Sequence, residues 1–189
     1  MEQTANEQLQ IISEAIRSTK NNIGNQRIFY VMWGWLVVIS SLAHFGMLKM
    51  HYAMPWLPWM ILMPIGGILA AILGRRQKQS ASYQTYLDRA LSLMWISLGI
   101  GFIAAVVVSI VLRVSPSIFT LILAGIGTLA SGLITKFRPL QLGGIVLLAG
   151  GITCAFIPME WQLLVNAGAI VFGYLLPAYM IKGESNGIA

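Results

Sequence analysis

The chain has 189 residues, of which 57% are hydrophobic and 10% charged, with 12 Lys and Arg against 6 Asp and Glu. An ordinary soluble domain carries about 25% charged residues, so apolar surface in this excess has to face lipid, and a water-soluble class is excluded. The formal charge of +6 does not indicate nucleic acid, because the basic residues stand singly or in small groups at the ends of apolar runs, as membrane orientation requires.

Residues 1–27 are polar and lack the basic start, short apolar run and small-residue cleavage site of a secretory signal. They read as an amphipathic helix. Thr4 and Glu7 have the spacing of a capping box, in which each side chain satisfies a free amide of the first turn. Leu9, Ile12, Ile16 and Ile23 follow at steps of three, four and seven, which puts them on one helical stripe. Gly24, after Asn21 and Asn22, is the expected left-handed stop. Full burial of the four aliphatics would contribute roughly 6 to 12 kcal/mol as an upper bound. Such a stripe needs a surface: the lipid bilayer, another membrane or cytoplasmic protein, or a second copy of the chain.

Six apolar runs follow, at about 28–48, 56–74, 90–112, 117–135, 140–157 and 161–181. Each has about the 20 residues needed to cross roughly 30 Å of hydrocarbon. Short connections force antiparallel neighbours. The predicted fold is therefore an all-α integral membrane protein, with six transmembrane helices as three antiparallel hairpins over 28–181. A cytoplasmic amphipathic helix precedes them, and a short cytoplasmic tail, 182–189, follows.

Under this alternation ten of the 12 Lys and Arg fall on one side and only Lys49 and Arg113 on the other. That excess predicts both termini in the cytoplasm, and with the compact loops it fits a bacterial inner membrane. Trp33, Trp35, Trp95 and Tyr179 form the expected aromatic belt on the inner side, and Tyr52, Trp56, Trp59 and Trp161 form it on the outer.

An internal repeat is visible. At an offset of 62, Arg27, Met32, Trp33, Leu36 and Ala43 match Arg89, Met94, Trp95, Leu98 and Ala105. At an offset of 61, Ile61, Leu62, Ile65 and Gly66 match Ile122, Leu123, Ile126 and Gly127. The third pair of runs keeps a trace of the pattern from Gly173 to Lys182.

Chemistry-bearing residues are scarce. No centre of an apolar run holds a carboxylate, lysine or arginine, which argues against transport coupled through a buried acid and against intramembrane proteolysis. Two histidines and one cysteine on separate segments give no chelating spacing, so neither a metal nor any other cofactor is expected. Cys154 lies in an apolar run as a packed or lipid-facing thiol, without an intramolecular disulfide partner. Ser40 and Ser41 stand near His44, but a carboxylate to orient that imidazole would have to come from Glu160, so no catalytic residue is assigned. His44, His51 and Glu160 are candidates for sensing external pH, since histidine titrates near about 6.5 when unperturbed.

Small residues four apart, such as Gly67/Ala71, Gly101/Ala105 and Gly127/Ser131, let helix backbones approach, and Thr128, Ser131, Thr153 and Asn166 supply interhelical hydrogen bonds. Pro64 interrupts the second run, and Pro177 interrupts the sixth. Under the repeat, Pro64 aligns with Gly125 and Gly66 with Gly127, and broken helices at matching positions mark a candidate path for a neutral or apolar solute. The leading expectation is a non-enzymatic membrane-embedded interaction or regulatory protein. A small transporter or channel is the alternative.

Overall fold

A computed structural model describes the backbone of residues 2–80 and 86–181 and the side chains of residues 26–77 and 89–181. The described residues are all-helical, without strand. Helix α1 spans Glu2–Lys49, α2 Leu57–Ser80, α3 Tyr86–Leu112, α4 Ser117–Ile134 and α5 Arg138–Cys154. Helix α6 comprises Met159–Ile170, a π-helical turn Val171–Leu175 and a last turn Leu176–Met180. Five stretches among the described residues are long and apolar enough to cross a membrane: Gln26–Lys49, Leu57–Gln77, Arg89–Leu112, Ser117–Ile134 and Met159–Met180. Helices suit these runs because a helix satisfies its backbone amides internally, which lipid cannot do for it.

Several boundaries differ from expectation: α2 runs past the expected 74 to Ser80, and α3 begins before 90, at Tyr86. The stop at Gly24 is not formed: α1 continues through it as one helix of 48 residues, about 72 Å long. A left-handed stop needs positive φ, and no described glycine adopts one. With no proline between Gly24 and the apolar run, helix continuation costs only about 1 kcal/mol at that glycine. The side chains of Leu9, Ile12, Ile16 and Ile23 lie outside the described residues.

The fifth run is also shorter than expected. Helix α5 has 17 residues, about 25 Å, and the chain turns at Ala155 and Phe156 before Pro158. Proline disfavours helical backbone in the residue before it, so Ile157 cannot extend α5.

The helices pack in the order α2, α1, α6, α5, α4, α3. The most intimate pair is α4 with α5, which crosses the boundary between expected hairpins. There Gly125 meets Leu148 and Gly144, Gly132 meets Gln141, and Gly151 meets Ile118 and Ile122. A Cβ added at Gly144 would lie 2.5 Å from the backbone nitrogen of Leu129, so close approach explains the glycine.

The repeat has a structural counterpart. A Cβ on Gly66 would meet Leu36 Cδ1 at 2.6 Å and the Trp33 ring at 3.0 Å; one on Gly127 would meet Leu98 Cδ1 at 2.5 Å and the Trp95 ring at 3.2 Å. These are the aligned residues. His51 and Arg113, also 62 apart, both take left-handed backbone, with φ of 53° and 55°, just past the ends of α1 and α3. Each is followed by the same closing bond, Tyr52 to Met47 and Val114 to Ser109, as a Schellman motif requires. In the third pair, Gly173 lies against Leu147, with 2.9 Å from an added Cβ to Leu147 Cγ. Leu36, Leu98 and Leu147 each stand nine residues after an arginine, Arg27, Arg89 and Arg138.

Candidate functional site

Four helices bring polar groups together in the interior. Tyr30 of α1 and Tyr174 of α6 are buried with ring centroids 4.8 Å apart, and the Trp95 ring of α3 lies 5.8 Å from Tyr30, perpendicular to it. Trp95 and Tyr174 are 6.4 Å apart. Trp95 Nε1 donates to Ser131 Oγ of α4 at 3.2 Å. The Tyr30 hydroxyl lies beside Ser131 and Trp95 but has no bond of acceptable geometry, and the buried Thr128 hydroxyl one turn away on α4 also lacks a partner.

Local sequence explains the position of Tyr174. Pro177 has no N–H to give the carbonyl of Gly173, and its ring needs room there. The widened π turn at Val171–Leu175, closed by the Leu176 amide on the Val171 carbonyl, provides that room. It also lets Gly173 approach Gly143 of α5 closely.

A second polar zone joins α1 and α6 nearer the Lys49 end. Asn166 Nδ2 donates to Ser41 Oγ at 2.8 Å, fully inside the bundle. Ser40 Oγ and Gln162 Oε1 are buried without partners. Lys49 and Glu160 form an ion pair at 2.7 Å, and the Lys49 ammonium lies over Phe45 and Trp161. At the other end of the same contact, the Arg27 guanidinium lies 5.9 Å from the Tyr179 ring, and Trp35 Nε1 donates to the Tyr179 hydroxyl at 2.9 Å. Arg27, Ile28, Val31 and Tyr179 line an open groove of about 250 Å³.

The residues proposed for pH sensing do not form one constellation. His44 Nδ1 accepts from Trp59 Nε1 at 3.1 Å, Glu160 is paired with Lys49, and His51 is the exposed left-handed residue closing α1. The proposed solute-path residues are also dispersed. Pro64 is exposed on α2, Gly66 packs on α1, Gly125 on α5 and Gly127 on α3.

Ser131 and Asn166 make the interhelical hydrogen bonds expected of them, whereas Thr128 is buried without a partner and Thr153 donates to the Ala149 carbonyl of its own helix; Tyr30 and Tyr174 were not legible. The available signal was Tyr174 standing three residues before Pro177 beside Gly173.

The interior clusters offer hydroxyl, amide and indole groups together with aromatic faces. These groups suit helix registration. Among the described residues, no three His, Cys, Asp or Glu side chains are grouped to hold a metal ion. Comparison with protein-family models, with curated proteins and with solved structures finds no match.

Proposed function

We propose that the chain is a non-enzymatic, membrane-embedded interaction or regulatory protein, anchored by its apolar helices and engaging a protein partner through the N-terminal part of α1. In this reading the bundle lies in a bacterial inner membrane with both termini cytoplasmic, supported by the ten-to-two distribution of Lys and Arg. The observation that carries the reading is the continuity of α1 from Glu2 to Lys49. A helix without a break transmits tilt and rotation along its length, so whatever grips the stripe of Leu9, Ile12, Ile16 and Ile23 also acts on Tyr30 and Ser41 in the interior. A solute path has less support, because its candidate glycines are filled by neighbouring helices.

The test is site-specific photocrosslinking in native membranes from position 12 or 16, with Glu14, on the opposite helical face, as the off-stripe control. A discrete protein adduct from position 12 or 16, lost when Leu9 and Ile23 are replaced by serine, is the expected result. Adducts to lipid alone, together with solute flux in liposomes that Pro64→Ala alters, would replace this reading with the transporter.

A further inference from the structure

We propose that the groove between α1 and α6 at Arg27 and Tyr179 holds the headgroup phosphate of a singly anionic phospholipid. The inference is independent of the protein partner proposed above and needs only that the apolar helices lie in a bilayer. Arg27 is the second residue of the span Gln26–Lys49, so its guanidinium stands at the level where lipid headgroups begin. The groove, of about 250 Å³, is lined by Arg27, Ile28, Val31 and Tyr179. Whole drug-sized ligands fill pockets of roughly 300–1,000 Å³, so this groove takes a headgroup and leaves the rest of an amphiphile outside it.

Two hydrogen-bond donors meet there without an acceptor. The Tyr179 phenol oxygen accepts from Trp35 Nε1 at 2.9 Å, which leaves its own O–H to donate, and no described residue receives that bond. The Arg27 guanidinium lies over the Tyr179 ring, 5.9 Å from its centroid. Such a contact uses the face of the guanidinium and keeps its in-plane N–H groups available. Among the described residues the one ion pair joins Lys49 and Glu160, at the far end of the span, and no carboxylate neutralises Arg27. A planar N–H fork beside a phenol O–H fits the oxygens of a phosphodiester, in charge-assisted bonds stronger than neutral ones.

The walls show where the rest of the ligand lies. Arg27, Val31 and Trp35 stand four residues apart on one face of α1. Ile28, Trp35 and Tyr179 are 47%, 45% and 50% exposed. From the charge toward Trp35 the surface is therefore apolar and open to hydrocarbon, so a phosphate carrying acyl chains gains contacts that a free phosphate does not. One cation in the groove matches one negative charge, which selects a phosphodiester with an uncharged headgroup over one that also carries an ammonium. Basic pockets between membrane helices recognise lipid headgroups in this way. Held by α1 and by the last turn of α6, the phosphate ties the two helices together one turn from Tyr30.

Titration of the detergent-solubilised full-length chain with lipid, read by native mass spectrometry, tests this. Dioleoyl phosphatidylglycerol is expected to bind about tenfold more tightly than dioleoyl phosphatidylcholine at the first site. Arg27→Gln is expected to remove that preference, and Tyr179→Phe, which keeps the ring, to weaken phosphatidylglycerol about threefold. Arg89→Gln, the same change at the exposed repeat counterpart of Arg27, is expected to leave it within about twofold, because charges that far apart are screened. Equal binding of the two lipids, or a preference that survives Arg27→Gln, overturns the proposal. So does displacement of the lipid by inorganic phosphate at equal concentration, which would assign the donors to a free anion.

Discussion

Asn166 on α6 donates its side-chain amide to the hydroxyl of Ser41 on α1, 125 positions earlier, at 2.8 Å and out of contact with solvent. Interhelical bonds in membranes average about 0.6 kcal/mol, with a maximum near about 1.7, because the unfolded chain in the membrane also finds partners. Burial of both side chains places the bond toward the upper part of that range. Asn166→Ala is expected to lower stability by about 1 kcal/mol, and the double variant with Ser41→Ala should cost less than the sum of the singles. Unfolding in mixed micelles measures both. Strict additivity would show that the two groups do not act as a pair.

Adjacent glycines on α2 should respond in opposite ways to the same substitution. A Cβ on Gly66 would press on Leu36 and the Trp33 ring, whereas nothing lies within 4 Å of one on Gly67. Gly66→Ala is therefore expected to cost about 1 to 3 kcal/mol through overpacking. Gly67→Ala should be neutral or slightly stabilising, because alanine loses less backbone freedom on forming a helix. Gly144→Ala on α5 should be the worst of the three, since it meets the backbone of α4, which cannot rotate away. Thermal unfolding in detergent ranks them. Equal effects at Gly66 and Gly67 would contradict the α1–α2 contact.

The membrane-crossing helices were readable because lipid imposes one rule on every residue: apolar runs of sufficient length become helices. The pairing of those helices was less readable, since it depends on which small residues face each other. Gly125, Gly132, Gly144 and Gly151 stand among many glycines, and composition alone does not assign α4 to α5. The aligned Trp33 and Trp95 looked like belt residues, yet each also fills the space over a partner glycine. Gly24 misled because a stop signal matters only where the following residues do not continue the helix, and Asn25, Gln26 and Arg27 do. Tyr30 and Tyr174 went unrecognised because interior aromatic clusters form from residues distant in sequence.

The Lys49–Glu160 ion pair is short but half exposed, with side-chain exposures of 49% and 45%. Solvent screening keeps such a pair at about 0 to 1 kcal/mol. Glu160→Gln is therefore expected to change stability by less than about 1 kcal/mol, with the effect shrinking as salt is added. Lys49→Ala should cost more, because Lys49 also lies over the Phe45 and Trp161 rings at 5.5 and 5.4 Å, contacts worth about 0.5 to 1 kcal/mol each. Equal losses from the two variants would mean that the rings add nothing.

Tyr30 offers the sharpest separation of packing from polarity. Its ring touches Tyr174 and Trp95, while its hydroxyl is buried and unpartnered. An unmade buried hydrogen bond costs about 1 to 3 kcal/mol, so removing the hydroxyl removes a liability. Tyr30→Phe is expected to be neutral or stabilising, and Thr128→Val, which deletes a second orphan hydroxyl at nearly constant volume, should behave alike. Tyr30→Ala leaves a cavity between three helices and is expected to cost about 3 to 5 kcal/mol. Unfolding midpoints of the three variants in one detergent decide the matter. A loss of more than about 1 kcal/mol on Tyr30→Phe would mean that the hydroxyl has a partner in the membrane, most simply Ser131, beside which it lies.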